Sequence, residues 1–286
     1  MVFILDACTV INLLQNDIIY QDDNYELEYD YLKLLKKVGL DIKIVEKVLG
    51  EIKDNYDKNL NSLQEKSLIN TYISKELHNE MLAVVNQKDF ESALEFTKKT
   101  TKYAKDNGEL HSCSYALYLN RYKFDSFFET YFITDDDGAK NDFSEFFKNN
   151  LLGEIITTAD LLLILVVKGE ISLKNVKNFI HNLKQKYSSD LDNLINRVKK
   201  IQQNDINSKS SALLTKLLEL INNREFEKIN QEILSHKEYK NIVKKDRKIN
   251  NLLKTISSKD LKKAKTLQNK IRSIKAYFWT IDRIYN

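Results

Sequence analysis

A mostly parallel α/β sheet flanked by helices, followed by an all-helical extension, is the fold the sequence predicts. Three observations predict it. Short apolar or β-branched segments at Val2–Leu5, Asp41–Val45, Tyr131–Thr134 and Glu154–Thr157 alternate with longer stretches of helical periodicity, as in a parallel sheet whose crossovers are helices. The 286-residue chain has no proline and only six glycines, so the usual helix breakers are nearly missing, and its hydrophobic content of 42% is enough for a real core. Charge is also divided along the chain. Residues 187–286 hold 22 basic and 11 acidic side chains, whereas Met1–Lys186 holds 23 basic and 30 acidic ones. An acidic front and a basic tail predict two parts, 1–186 and 187–286, the second suited to a polyanion.

Taken in order, Val2–Leu5 reads as a buried strand that ends at Asp6, and a helix follows around Val10–Asn16. The polar stretch Asp17–Asn24 reads as a turn. Tyr31, Leu32, Leu34, Leu35 and Val38 give a helix that Gly39 ends. Asp41–Val45 is the second strand, and Glu46 opens a helix carrying Val48, Glu51 and Ile52. Between residues 55 and 101, apolar residues three and four apart predict an insert of amphipathic helices. Near Gly108, Asp106 or Asn107 can cap a helix, Gly108 permits a close approach, and Glu109 falls in the first turn, where the macrodipole favours an acid. Tyr131–Thr134 is the third strand and runs into Asp135, Asp136 and Asp137. Glu154–Thr157 is the fourth. An apolar helix from Ala159 to Lys168 ends at Gly169, and Ile171–Lys186 forms another amphipathic helix.

The longest apolar run, Leu161–Val167, is far shorter than the ~20 residues of a membrane span. Val2–Leu5 is too short for a secretory apolar core and lacks a basic lead. Cys8 and Cys113 have neither zinc-finger nor disulfide-framework spacing, so reduced thiols in a soluble cytoplasmic protein are expected.

The acids at strand ends carry the chemistry. Asp6 and the cluster Asp135–Asp137 follow strands, and Glu109 opens a helix. In open α/β sheets, ligands bind beyond the carboxyl ends of the strands. Each acid alone has a plain explanation as a cap or turn residue. Together they predict a shared acidic site.

These segments resemble the PIN-domain family, in the branch related to VapC-type toxins, across about residues 1–186. The matching pieces are Ile4-Leu-Asp6-Ala-Cys-Thr-Val-Ile-Asn12, the helix 45–52 with Glu51, Gly108-Glu109 at a helix start, Phe132-Ile-Thr-Asp-Asp136-Asp-Gly-Ala-Lys140, and the closing strand and helix from Ile155 to Ser172. The resemblance implies a PIN-like Rossmannoid fold and a Mg²⁺- or Mn²⁺-dependent endoribonuclease, such as a toxin or defence effector. Carried over, Asp6, Glu51, Glu109 and Asp136 form the catalytic quartet. Asp6, Glu109 and Asp136 hold the metal, with Asp135 as rival or helper and Asp137 as a looser candidate. Thr134, Asn12 and Thr9 support the carboxylates by hydrogen bonding. Hard oxygen ligands suit these ions, which activate water for attack on a phosphodiester. The family also suggests RNA, an antitoxin protein and a second copy of the chain as partners, and no membrane. Two positions depart from the pattern. Cys8 replaces a Ser or Thr, and a thiol is a weaker hydrogen-bond partner. His111 stands where relatives often carry an acid, which makes it a candidate for contact with substrate or metal.

In the tail, Lys244, Lys245, Arg247 and Lys248, then Lys262 and Lys263, form basic clusters followed by Tyr277, Phe278, Trp279 and Tyr285. Such clusters can hold phosphates and stack bases. They equally suit a solvated helical face, and a non-catalytic PIN-like module that binds nucleic acid or protein through this tail is the alternative reading. Asp6-Ala-Cys-Thr9 also loosely resembles a haloacid-dehalogenase phosphatase motif. That chemistry needs a second Asp where this chain has Cys8.

Overall fold

The computed structural model describes residues 1–21, 24–59, 63–123, 129–203, 208–223 and 228. The chain divides into two compact units, Met1–Phe179 and Ile180–Asn286.

The first unit is built on a four-stranded parallel sheet. Its strands are β1 (Val2–Leu5), β4 (Asp41–Lys43), β5 (Thr130–Ile133) and β6 (Gly153–Ile156), in the order β4-β1-β5-β6. β1 lies between β4 and β5, with Val2 opposite both Asp41 and Thr130. All four β1 residues are buried, as expected of a strand covered on both faces. Ile4, Leu5, Phe132 and Ile133 are completely inaccessible.

The chain leaves β1 toward β4 and returns on the other side of β1 as β5. The direction of winding therefore reverses between β1 and β5, and a crevice opens there at the carboxyl ends of the strands. The helices follow from that reversal. α1 (Ala7–Gln15) packs with α2 (Tyr31–Lys37) and α8 (Thr158–Val167), while α6 (Gly108–Tyr118) packs with α5 (Gln87–Thr101) and α7 (Asp137–Asn149). α3 (Glu46–Asn59) touches both α1 and α6. α8 contributes Leu161, Leu162 and Leu165 to the core, all fully buried.

Two elements differ from the sequence expectation. The stretch expected as a turn begins an antiparallel hairpin, β2 (Ile18–Gln21) with β3 (Asn24–Leu27). Ile18, Ile19 and Tyr20 are β-formers, and the Tyr20 and Tyr25 rings meet across the pair at 4.9 Å. Buried Asp17 anchors the hairpin, accepting from the Tyr29 and Asp30 amides at 2.8 and 2.7 Å. In the insert, α4 (Leu63–Tyr72) passes into a π-helical segment, Ile73–Met81. Ile73, Leu77 and Met81, each four residues apart, are all buried, a period that suits the wider π winding. Its exit extends the sheet past β4, where Ile44 exchanges backbone hydrogen bonds with Met81 and Ala83 at 2.9 and 2.8 Å.

α9 (Leu173–Gln203) runs from the first unit into the second, which also holds α10 (Ser208–Asn222). Leu213, Leu214, Leu217 and Val198 are buried, and Gln202 donates to Thr215 at 2.8 Å. The basic residues Lys244, Lys245, Arg247, Lys248, Lys262 and Lys263 lie outside the described residues. Among the described residues, no helix is long and apolar enough to cross a membrane.

Gly153 opens β6 with φ +118°, and a Cβ there would come 2.0 Å from the Thr130 carbonyl oxygen. Gly39 also has positive φ but open space around it. Gly153→Ala is therefore expected to lose ~2–3 kcal/mol and Gly39→Ala only about 1 kcal/mol. Urea denaturation of the two variants measures the difference.

Candidate functional site

Asp6 is the first residue after β1 and is only 4% exposed. It caps α1, with Oδ1 accepting from the Ala7 amide at 2.8 Å. Its other oxygen accepts from the Cys8 thiol and the Thr134 hydroxyl, both at 3.0 Å. The Thr134 hydroxyl has one proton, and it goes to Asp6. Its oxygen accepts from the Asp136 amide at 3.1 Å. The Cys8 thiol likewise donates to Asp6 while its sulfur accepts from the Asp135 amide at 3.4 Å. The ends of β1 and β5 are thus tied together through one carboxylate. Cys8, expected to weaken that support, supplies part of it.

Burial pushes the Asp6 carboxyl from 3.8 up to about 6, the hydrogen bond from Cys8 opposes the rise, and the negative charge of Glu109 adds to it. The Glu109 charge therefore lies within electrostatic range of Asp6. Glu109 sits in the first turn of α6, whose cap is Asn107. The Tyr103 hydroxyl donates to Glu109 in a short hydrogen bond, and the Asn107 side-chain amide donates to the same oxygen at 3.2 Å. Glu109 also raises the Glu51 carboxyl, after burial as the main cause. Glu51 lies in α3, and its Oε1 accepts from the Gly108 amide at 2.8 Å. A Cβ on Gly108 would lie 2.7 Å from Glu51 Oε2 and 2.8 Å from Val48, so only glycine lets α6 start against α3 this closely. Fully buried Cys113 feels both charges, although desolvation dominates the large upward shift of its thiol.

The third acid group is placed differently. Asp135 accepts from Asn12 at 2.8 Å, from the Thr158 hydroxyl at 2.7 Å and from the Thr158 amide at 3.0 Å. It fastens α1 and α8 to the end of β5. Asp136 caps α7, accepting from the Gly138 amide at 2.6 Å, and Asp137 is the first residue of that helix. Thr9 donates to the Ile133 carbonyl at 3.0 Å. Among the described residues, no three His, Cys, Asp or Glu side chains converge as a ready-made metal site.

His111 pairs with Asp106 at 2.9 Å, and Lys47 reaches the same carboxylate at 3.1 Å. The hydrogen bond from His111, then that from Lys47, holds Asp106 far below the usual carboxylate range. Tyr103, Thr158, Asp106 and Lys47 were invisible as site residues in the sequence. Thr158 and Lys47 sit at helix starts with partners distant in the chain, and Tyr103 and Asp106 meet Glu109 and His111 only through the way the loop before α6 folds. Only the spacing of Asn107 before Glu109 gave a local signal.

What the fold and site define is a parallel α/β protein with a buried carboxylate at its winding reversal and a second carboxylate, Glu109, within electrostatic range of it. No family model, curated protein or solved structure matches the chain.

The chemistry of Asp6 and Glu109 fits a hard divalent ion. Mg²⁺ is commonly held by one or two carboxylates with waters completing its shell, and a cation would relieve the burial and mutual repulsion that raise Asp6. Without a cation, the sign of the effect on stability is fixed. Between pH 3.8 and 6 the folded chain holds the Asp6 proton more tightly than the unfolded chain, so stability falls as pH rises through that window. The cost is on the order of 3 kcal/mol above pH 6 and vanishes below the unfolded value. In chelator, Asp6→Asn is expected to melt several degrees above the unsubstituted chain at pH 7.5, with no difference at pH 4. Melting curves at the two pH values check this.

Proposed function

We propose that the chain is a PIN-type endoribonuclease that uses Mg²⁺ or Mn²⁺ to hydrolyse phosphodiester bonds in RNA. The observation that carries this reading is Asp6, buried where the winding of the sheet reverses and held there by the Cys8 and Thr134 side chains, with the charge of Glu109 adding to the upward push on its carboxyl. Asp6 and Glu109 would hold the ion, which when bound supplies charge neutralisation for the phosphate and acidifies a water.

The chain's own residues have distinct tasks around that pair. Cys8 and Thr134 direct their protons to one Asp6 oxygen and fix its orientation. Tyr103 and Asn107 do the same for Glu109. Partners of this kind set the geometry and basicity of a ligating carboxylate. Glu51 holds the start of α6 through Gly108, and its charge lies near enough to Glu109 to interact with it. It therefore positions Glu109 and adds negative potential. Asp135 ties α1 and α8 to the end of β5 through Asn12 and Thr158, and Asp136 caps α7. The Asp136 oxygen outside its cap bond would be the one to join in holding the ion.

A second reading, a non-catalytic module that binds nucleic acid or protein, is favoured by one observation. Asp135 is already engaged with Asn12 and Thr158 and Asp136 with its cap bond, and among the described residues the acids do not converge as a closed ligand set.

Cleavage of a single-stranded RNA with Mg²⁺ or Mn²⁺ separates the two. The nuclease reading expects chelator to abolish cleavage and Asp6→Asn or Glu109→Gln to lower it at least ~100-fold, the scale set by loss of a supporting or ligating group. Undiminished cleavage in both variants, or robust RNA binding with no cleavage, contradicts it.

A further inference from the structure

A groove of about 520 Å³ opens beside Glu51, on the side of α3 that faces the exit of the π-helical segment. It is enclosed by Val45, Leu82, Ala83, Val85 and Phe90, with Lys47, Glu51 and His111 as polar groups and Glu46, Asp54 and Gln87 at its rim. The size, and apolar walls around a few polar groups, match a small-molecule site. It lies beyond β4 at the carboxyl edge of the sheet, where an α/β fold places its ligands.

Gly50 supplies an independent observation. It lies in the middle of α3, where glycine lowers helix stability relative to alanine. A Cβ there would meet nothing within 4 Å, so no neighbour in the fold requires the glycine. Gly50 lines the groove. It leaves bare backbone in the lining, and close approach of a ligand is a use that glycine serves.

The polar groups decide the ligand's chemistry. Glu51 lines the groove beside Lys47 and His111, which also reach the Asp106 carboxylate at 3.1 and 2.9 Å. The inner part of the groove thus offers N–H donors and carboxylate acceptors side by side, and Glu46 and Asp54 are exposed, where solvent screens them. Balanced donors and acceptors between apolar walls suit a neutral planar heterocycle with N–H and C=O edges. An alkyl polyamine would need uncompensated acids along its length.

We infer that the groove between Gly50 of α3 and Leu82–Val85 is a binding site for one unpaired nucleobase of a single-stranded nucleic acid. The inference rests on the nuclease reading for its place next to the scissile bond, because Glu51 belongs to the groove and, through Gly108, to the start of the Glu109 helix. Bases taken out of a stack are recognised by this combination of apolar walls and edge hydrogen bonds. The substrate class is therefore single-stranded RNA or an open loop, with the base at one fixed position from the cleaved phosphate inserted in the groove.

The test is ligand-observed saturation-transfer NMR on the full chain, in chelator, with cytidine and adenosine as probes and spermidine as competitor. The base protons are expected to receive more saturation than the ribose protons. Gly50→Leu, which narrows the groove without a clash in the fold, is expected to lower the signal at least fivefold while melting no lower than the unsubstituted chain. Ala83→Leu narrows the groove from the other wall and is read in the same way should Gly50→Leu not fold. Asp6→Asn is expected to keep nucleoside binding whether or not it cleaves, so binding without cleavage retains the groove and removes the nuclease reading. No transfer to either nucleoside, transfer unchanged in both groove variants, or displacement of nucleosides by equimolar spermidine overturns the inference, even if the chain cleaves RNA.

Discussion

One buried carboxylate holds the centre of the first unit together. Asp6 ends β1, and its oxygens take protons from Ala7, Cys8 and Thr134, the last from the end of the neighbouring strand β5. Thr134 in turn receives the Asp136 amide, and Cys8 receives the Asp135 amide. The loop after β5 is shaped around that single acid. Asp135 then reaches Asn12 and Thr158, which fastens α1 and α8 to the same point. A buried charge is costly unless its hydrogen bonds are complete. Here most of the polar groups at the winding reversal are arranged to complete them, yet the carboxyl still titrates near 6. The fold holds this acid at a disadvantage, and a cation would remove it.

The opposite wall of the crevice depends on glycine. Gly108 lets α6 begin in contact with Glu51 and Val48, and Glu109 follows it in the first turn of the helix. Tyr103 and Asn107 hold the Glu109 carboxylate from the preceding loop. Asp6 and Glu109 arrive from the end of a strand and the start of a helix about a hundred residues apart, so the topology of the fold, not a local motif, brings their charges within range.

Much of this was legible in the chain. Apolar segments located all four parallel strands, three of them followed directly by an acid, and Gly39 and Gly169, both with positive φ, ended helices where expected. Asp6 and Glu109 stood out because each acid sits at an element boundary. The roles of Asp135 and Glu51 were not legible, since whether an acid caps or coordinates depends on partners such as Thr158 and Gly108 that only the folded chain supplies. The hairpin at 18–27 was hidden because polar Asn24 and Glu26 alternate with its apolar residues in so short a segment. The wide winding of Ile73–Met81 leaves the same three-and-four spacing as an ordinary helix, so periodicity alone does not reveal it. The groove was invisible for a related reason. Gly50 reads as a flaw in a helix until the open space beside it is seen.

The central claim is that Asp6 and Glu109 together hold a divalent ion. Titration of Mn²⁺ into the full chain, followed by electron paramagnetic resonance of the free ion, tests it without relying on turnover. The account predicts one site on the unsubstituted chain whose affinity falls at least ~10-fold in both Asp6→Asn and Glu109→Gln, and strengthens as pH rises through 6, where Asp6 loses its proton. Equal Mn²⁺ binding by the chain and both variants would contradict it.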